Sequence, residues 1–393
     1  MGSTSSNVEL PPLDLSLFLR GDAQQRRQFA DEFCGCLQRH GFAKLVNHGL
    51  SDKAVKELYH WVRDKKETRR PASAGIKAPH FFLLPPESKA AIGHPGGPTP
   101  QRGWSRLGAE NSAKLHRSGV NGGKEGREQH SSNGTEPDQS DSRVSLAAGP
   151  SSPIPPTAPS KRHLLTSNQP TPQEHFDQGM SSDVEWPNRW PREDDLPGFR
   201  VFMEEHYERC NATAVALLEA IELSLGLAVG TLSTQCVGGA SEMRLNHYPP
   251  ISVAQMRQGN VSRIWPHTDL GVLTLLFQDA VGGLEIEDRL NRGTFCPVPR
   301  GQWNEMIVNV SETLERWTNG VLPAGIHQVT VPPGLSGQDD AIIPARYSNA
   351  FFVKADRHAD VGALSHFVKP GEEPRYKAMT ALEYHTSRVA TAY

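Results

Sequence analysis

Cysteine is scarce in this chain: five residues, an odd number with no CxxC pair. That excludes the paired framework of a small secreted disulfide scaffold and leaves Cys34-Gly-Cys36 without a second pair to complete a metal knuckle. Reduced thiols in a cytoplasmic protein are expected. No apolar run approaches the roughly 20 residues that span a bilayer, and the N-terminus has no basic stretch followed by an apolar one. Neither a spanning helix nor a secretory signal is expected. The start Met1-Gly2-Ser3-Thr4-Ser5-Ser6 fits only the loose myristoylation pattern that many ragged polar starts fit. Charge of one sign is lacking as well: 41 basic against 44 acidic side chains give -3. That is no field strong enough to argue for nucleic acid or an anionic membrane as the main partner, which leaves a small-molecule role open.

With 393 residues there is length for a large core and some to spare. Pro12-Leu13-Asp14-Leu15 predicts a short strand, and Ala23 to Arg39 a helix with Phe29, Phe33 and Leu37 on one face. Gly41 ends that helix. Phe42 to Val46 is a second strand, and Ser51 caps a helix running towards Arg63. Composition then divides the chain. We expect an N-terminal region over 10–106 and a disordered insertion over 107–172, rich in Gly, Ser, Asn and Pro and too poor in large apolar residues to offset its ordering entropy. A helical connection over 173–235 follows, including one long helix from about Phe199 to Leu227.

Beyond Ser241 the pattern changes to short strands separated by Gly, Pro and Asn: Met243 to Tyr248, Leu273 to Gln278, Leu284 to Glu287, Met306 to Val310, His327 to Val331 and Arg346 to Val353. Many short strands with such turns imply a sandwich or barrel, placed at 240–357. A C-terminal helical segment over 358–393 is expected, with its helix from Glu373 to Val389. No repeat of fixed period is present.

His267-Thr268-Asp269 sets an imidazole and a carboxylate on one face of an extended strand. His327 opens a later strand that can lie beside them. Two histidines and one carboxylate leave open positions on an octahedral metal, which suits iron(II). Spacing alone does not single this set out, because His-x-Asp arises by chance and there are 16 histidines. Arg346 and Ser348 also share a strand face, and Arg is the side chain suited to gripping a carboxylate; a surface arginine fits the same pattern. Asn246 and Tyr248 share the face of an earlier strand, as a ligand-facing pair or an ordinary interior one. His247, Phe277, Phe295 and Phe352 are candidates for a pocket wall and equally for core.

These residues stand in a longer order: Arg244-Leu245-Asn246-His247-Tyr248-Pro249-Pro250, then His267-Thr268-Asp269-Leu270-Gly271-Val272-Leu273-Thr274-Leu275-Leu276, Gln278-Asp279 and Val281-Gly282-Gly283-Leu284. Val308-Asn309-Val310, Glu315 to Gly320, Arg346-Tyr347-Ser348 and Phe351-Phe352 follow, and His40-Gly41-Phe42 and Asn47-His48-Gly49 precede them. In this order the chain resembles the isopenicillin N synthase-like family of iron(II)- and 2-oxoglutarate-dependent oxygenases, over most of its length except the insertion. The resemblance implies a mainly β fold with α, a double-stranded β-helix (jelly-roll) core with helical N-terminal decoration. It implies His267, Asp269 and His327 as iron ligands, and Arg346 and Ser348 on the distal carboxylate of 2-oxoglutarate with Asn246 and Tyr248 near. With dioxygen, such enzymes convert 2-oxoglutarate to succinate and carbon dioxide while abstracting hydrogen from a C–H bond. Hydroxylation, desaturation or ring closure results, usually on a specialised metabolite. Isopenicillin N synthase itself dispenses with 2-oxoglutarate, so an oxidase on the same scaffold is one alternative and a non-catalytic binding protein another. The chain departs from the family at Ser311-Glu312, where Gly-Asp is usual, at Ala324 and at Gln328. The stretch from His327 to Arg346 is longer than usual.

Overall fold

A computed structural model describes residues 8–62, 80–96, 99–109, 172–259 and 261–389. Most of the 107–172 insertion, Gly2 and Arg63 lie outside the described residues. The strands are β1 (Pro12–Asp14), β2 (Phe42–Val46), β3 (Gly103–Ser105), β4 (Glu174–Gln178), β5 (Glu242–Tyr248), β6 (Ile251–Ser252) and β7 (Ile264–His267). After them come β8 (Leu273–Gln278), β9 (Leu284–Glu287), β10 (Phe295–Pro297), β11 (Met306–Val310), β12 (His327–Val329), β13 (Ile342–Ile343) and β14 (Arg346–Val353). The helices are α1 (Ser16–Arg20), α2 (Ala23–His40), α3 (Asp52–Val62), α4 (Pro86–Ala91), α5 (Phe199–Leu225), α6 (Val253–Arg257), α7 (Glu312–Trp317) and α8 (Ala381–Val389). Among the described residues no helix is long and apolar enough to cross a membrane.

An eight-stranded sheet in the order β1-β2-β11-β8-β14-β5-β4-β3 faces a four-stranded sheet in the order β10-β9-β12-β7. This is the expected jelly roll, and strand parity explains its layering. On β14 the even-numbered residues Arg346, Ser348, Ala350 and Phe352 line the cavity between the sheets. The odd-numbered ones turn the other way: Phe351 meets Tyr207 of α5 edge-on, with ring centroids 5.0 Å apart. The main core thus lies outside the large sheet, under α2 and α5, where Phe29, Phe33, Leu217, Ile221 and Phe351 are buried. Phe351→Ala should cost about 3–5 kcal/mol, read as a lowered urea midpoint. An unchanged midpoint would contradict this packing.

The N-terminal elements follow their local signals. Asp22 and Gln25 form a capping box at the start of α2, and Gly41 ends it in a left-handed conformation, φ 75°. Ser51 accepts from the amide of Ala54, as expected of a cap. The long stretch after His327 holds β13, which pairs with β6 beside the main sheets.

One helix is shorter than expected. Glu373 to Met379 is not helical; Pro374 interrupts it, and Thr380 and Glu383 form a cap at the true start. The Thr380 hydroxyl accepts from the Glu383 amide, and the Glu383 carboxylate accepts from the Thr380 amide.

Candidate metal centre

β7 and β12 run antiparallel with His267 directly opposite His327. The register brings the two rings to a centroid separation of 4.2 Å. Asp269 leaves the end of β7 and turns back, so that its Oδ1 lies 3.6 Å from His267 Nε2 and 4.0 Å from His327 Nε2. One donor atom from each residue lies within 4.8 Å of the others, the one such group of three or more His, Cys, Asp or Glu among the described residues.

Each donor is aimed by a neighbour. His267 Nδ1–H donates to the Trp265 carbonyl at 2.9 Å, and His327 Nδ1 faces the Gly325 carbonyl at 3.3 Å. Both rings therefore offer the lone pair of Nε2 to the centre. Asp269 Oδ2 accepts from Thr274 Oγ1 at 2.7 Å and from Asn309 Nδ2 at 2.8 Å, which leaves Oδ1 as the free oxygen. Burial alone would raise the Asp269 pKa, but the facing imidazoles and the Thr274 hydroxyl outweigh it and hold the carboxylate ionised. Burial, then repulsion from His267, lowers His327 to about 4, so its ring is neutral at pH 7. A neutral His327 ring and an ionised carboxylate suit the donor set a divalent metal needs.

The N-terminal region reaches this centre as well. Phe42 stands edge-on to His327, centroids 5.8 Å apart. A Cβ at residue 325 would fall 2.4 Å from the Phe42 ring, so glycine is required there. Glu312 ties the other side together: it accepts from the hydroxyls of Thr268 and Tyr384 and from both Nε and Nη2 of Arg388. Through it α8 is fixed to the residue between His267 and Asp269, and its His385 and Val389 line the cavity.

That cavity, open to solvent and about 160 Å³ in volume, ends in a basic floor. Arg346 pairs across the sheet with Tyr248, and Ser348 with Asn246. The Arg346 guanidinium lies over the Tyr248 ring, 5.2 Å from its centroid. It donates to Gln278 Oε1 at 3.1 Å and Ser348 Oγ at 3.4 Å, and Asn246 Nδ2 also donates to Ser348 Oγ at 3.3 Å. Arg346 is 1% exposed, its Nε has no partner, and no carboxylate is in ion-pair contact with it among the described residues. A buried guanidinium without a counter-charge is costly, and a ligand carboxylate would supply the missing partner.

Three of the four aromatic wall candidates are corrected. Phe352 lines the cavity. His247 stacks on Tyr347 and bonds Glu174 on the opposite sheet face. Phe277 packs against His48 and His206 under the helices. Phe295, on the strand at the rim of the small sheet, is not part of the lining. Sequence reasoning passed over Thr274 and Asn309, although both stand in the motifs His267 to Leu276 and Val308-Asn309-Val310. It also passed over Arg263, which carries no motif.

A jelly roll with a two-histidine, one-carboxylate cluster beside a buried guanidinium is an arrangement suited to a mononuclear non-haem metal centre. Residues 240–355 match the 2OG-Fe(II) oxygenase superfamily. The chain is similar to the 2-oxoglutarate-dependent dioxygenase phqC of Penicillium fellutanum, 42% identical over 381 residues, 97% of this chain and 94% of that one. It is also similar to the 2-oxoglutarate-dependent dioxygenase imqE of Aspergillus flavus, 40% identical over 393 residues, 100% and 97%. A Neurospora crassa protein solved with alpha-KG and thymine shares the fold at a TM-score of 0.72 and 25% identity, covering 99% of this chain and 98% of that one. The chain belongs to the 2OG-Fe(II) oxygenase superfamily. It is accordingly an oxidoreductase that uses iron(II), 2-oxoglutarate and dioxygen, and the 2-oxoglutarate-free oxidase and the non-catalytic scaffold are set aside.

Proposed function

We propose that His267 Nε2, Asp269 Oδ1 and His327 Nε2 hold the iron, and that Arg346 and Ser348, backed by Asn246 and Tyr248, hold the distal carboxylate of 2-oxoglutarate. The observation that carries this is the meeting, in one cavity, of the three converging donors and a buried guanidinium that has no ion-pair carboxylate among the described residues. Bound iron(II) supplies dioxygen activation coupled to oxidation of a C–H bond. The chain's residues do the rest. Arg346 fixes the co-substrate's far end, Thr274 and Asn309 keep Asp269 monodentate, and Phe352, Leu270, Val389 and His385 wall the space left for the organic substrate.

That substrate is a small specialised metabolite, and the outcome is hydroxylation, desaturation or oxidative ring closure. Fungal relatives named as 2-oxoglutarate-dependent dioxygenases support this choice. The enzyme works in the cytoplasm without nucleic acid or membrane partners; five buried cysteines outside any disulfide and a net charge of -3 support that placement. The division at 107–172, 240–357 and 358–393 remains our reading of the domains.

The test is succinate release from iron(II)-loaded protein supplied with 2-oxoglutarate and air across a panel of metabolites. Slow release should rise sharply with a true substrate. Absence of succinate under every condition would contradict the proposal. The Asp269 tether makes a separate prediction: Asn309→Ala should weaken iron(II) affinity roughly 10- to 100-fold by freeing Oδ2, measured by competition with a chelator. An unchanged affinity would mean that Asn309 does not orient the ligand.

A further inference from the structure

A second buried guanidinium lies behind the clamp. Arg263 immediately precedes β7, is 0% exposed and is not part of the cavity lining. Its Nη2 donates to the carbonyl oxygens of Pro249 and Pro344. Pro249 follows Tyr248 and Pro344 stands two residues before Arg346, and Tyr248 and Arg346 are themselves register partners. Arg263 therefore closes the ends of β5 and β14 beneath the cavity floor.

Its Nε and Nη1 have no hydrogen-bond partner, like Nε of Arg346. No carboxylate is in ion-pair contact with Arg263 among the described residues. Asp279, the acid that acts on it electrostatically, is occupied by the amides of Tyr347 and Val281. Burial, then repulsion from Arg346, lowers Arg263 to about 10, so it remains charged at neutral pH. Two buried like charges with unfilled N–H groups are unfavourable in the empty protein. Asp279 and the Tyr248 ring offset them only in part, and among the described residues no carboxylate pairs with either, whereas an anion on the cavity floor would.

We propose that Arg263 is a positioning residue for the co-substrate, adding from behind Tyr248 and Arg346 a second positive charge that selects an oxo acid with an anionic tail. The proposal rests on the assignment of Arg346 and Ser348 to 2-oxoglutarate. Arg263 touches no ligand; it acts through the field on the floor and by holding the two strand ends that carry the clamp.

The experiment uses full-length protein loaded with iron(II) under anaerobic conditions. It is titrated with 2-oxoglutarate and separately with 2-oxopentanoate, which keeps the chelating head and lacks the charged tail, and the metal-to-ligand absorption is followed. Arg263→Gln should weaken 2-oxoglutarate about tenfold and leave 2-oxopentanoate within about twofold. Arg263→Lys, which keeps the charge, should restore most of the difference. Equal losses for both acids, or an unchanged 2-oxoglutarate affinity, would overturn the proposal. Should Arg263→Gln not fold, Arg263→Lys alone decides: it should keep the preference between the acids within about threefold of the parent, and a collapsed preference refutes the electrostatic role. Parent protein giving no absorption with 2-oxoglutarate contradicts the clamp assignment instead, so the two failures are distinguishable.

Discussion

His267→Ala should abolish iron(II) binding and succinate formation together while leaving the fold intact. The ring supplies one of the three converging donors, and among the described residues no other His, Cys, Asp or Glu joins that group to take its place. Removing it leaves Asp269 and His327, two ligands that cannot hold a labile divalent ion against water. Its bulk belongs to the cavity wall and not to the packed core under α2 and α5. Thermal unfolding of the metal-free variant should therefore match that of the metal-free parent. The parent alone should gain stability when iron(II) is added, because the metal binds the native state only. Iron analysis after desalting is the direct readout. A variant that retains about one iron per chain would show that the ligands are elsewhere.

Arg346→Gln should weaken 2-oxoglutarate by at least roughly 100-fold, the scale expected when a buried guanidinium–carboxylate contact worth about 3 kcal/mol is removed. Iron affinity should not change, because the guanidinium bonds Gln278 and Ser348 rather than any of the three donors. The unliganded variant carries a further expectation of unusual sign. Arg346 is buried near Arg263, and among the described residues no carboxylate is in ion-pair contact with either, so deleting the charge should leave apo stability unchanged or raise it. Loss of co-substrate affinity without loss of stability separates a binding arginine from a structural one. Equal losses of both would mean that Arg346 serves the fold.

The parts that could be read from the residues share one physical reason: strand parity and short-range signals are local. Alternation located β8, β9, β11 and β14, and it placed His267 with Asp269 and Arg346 with Ser348 on common faces. The same rule carried further would have corrected the pocket. Once Asn246 and Tyr248 face the cavity, His247 between them must face away, and it does. Phe277 lies between Leu276, which lines the cavity, and Gln278, which bonds the clamp, and fails for the same reason. The helix start at Thr380 was also legible, since Thr-Ala-Leu-Glu is a capping box and Pro374 breaks any earlier helix.

Other features depend on distant contacts and left no local trace. That His327 stands opposite His267 is a matter of cross-strand register over sixty residues of sequence. Arg263 carries no motif, and the convergence of the Pro249 and Pro344 carbonyls on its guanidinium shows where it lies. Glu312, seen in the residues only as a departure from the usual Asp, proves to be where Thr268, Tyr384 and Arg388 meet. Its side chain joins α8 to Thr268, between His267 and Asp269.

The most direct test of the whole account is an anaerobic titration of iron(II)-loaded parent protein with 2-oxoglutarate, followed by visible absorption. Chelation of the oxo acid at the three-donor centre should produce a metal-to-ligand charge-transfer band that saturates at about one equivalent per iron and is absent from His267→Ala. A parent protein that binds iron yet develops no such band at any concentration of 2-oxoglutarate would contradict the assignment of this cavity.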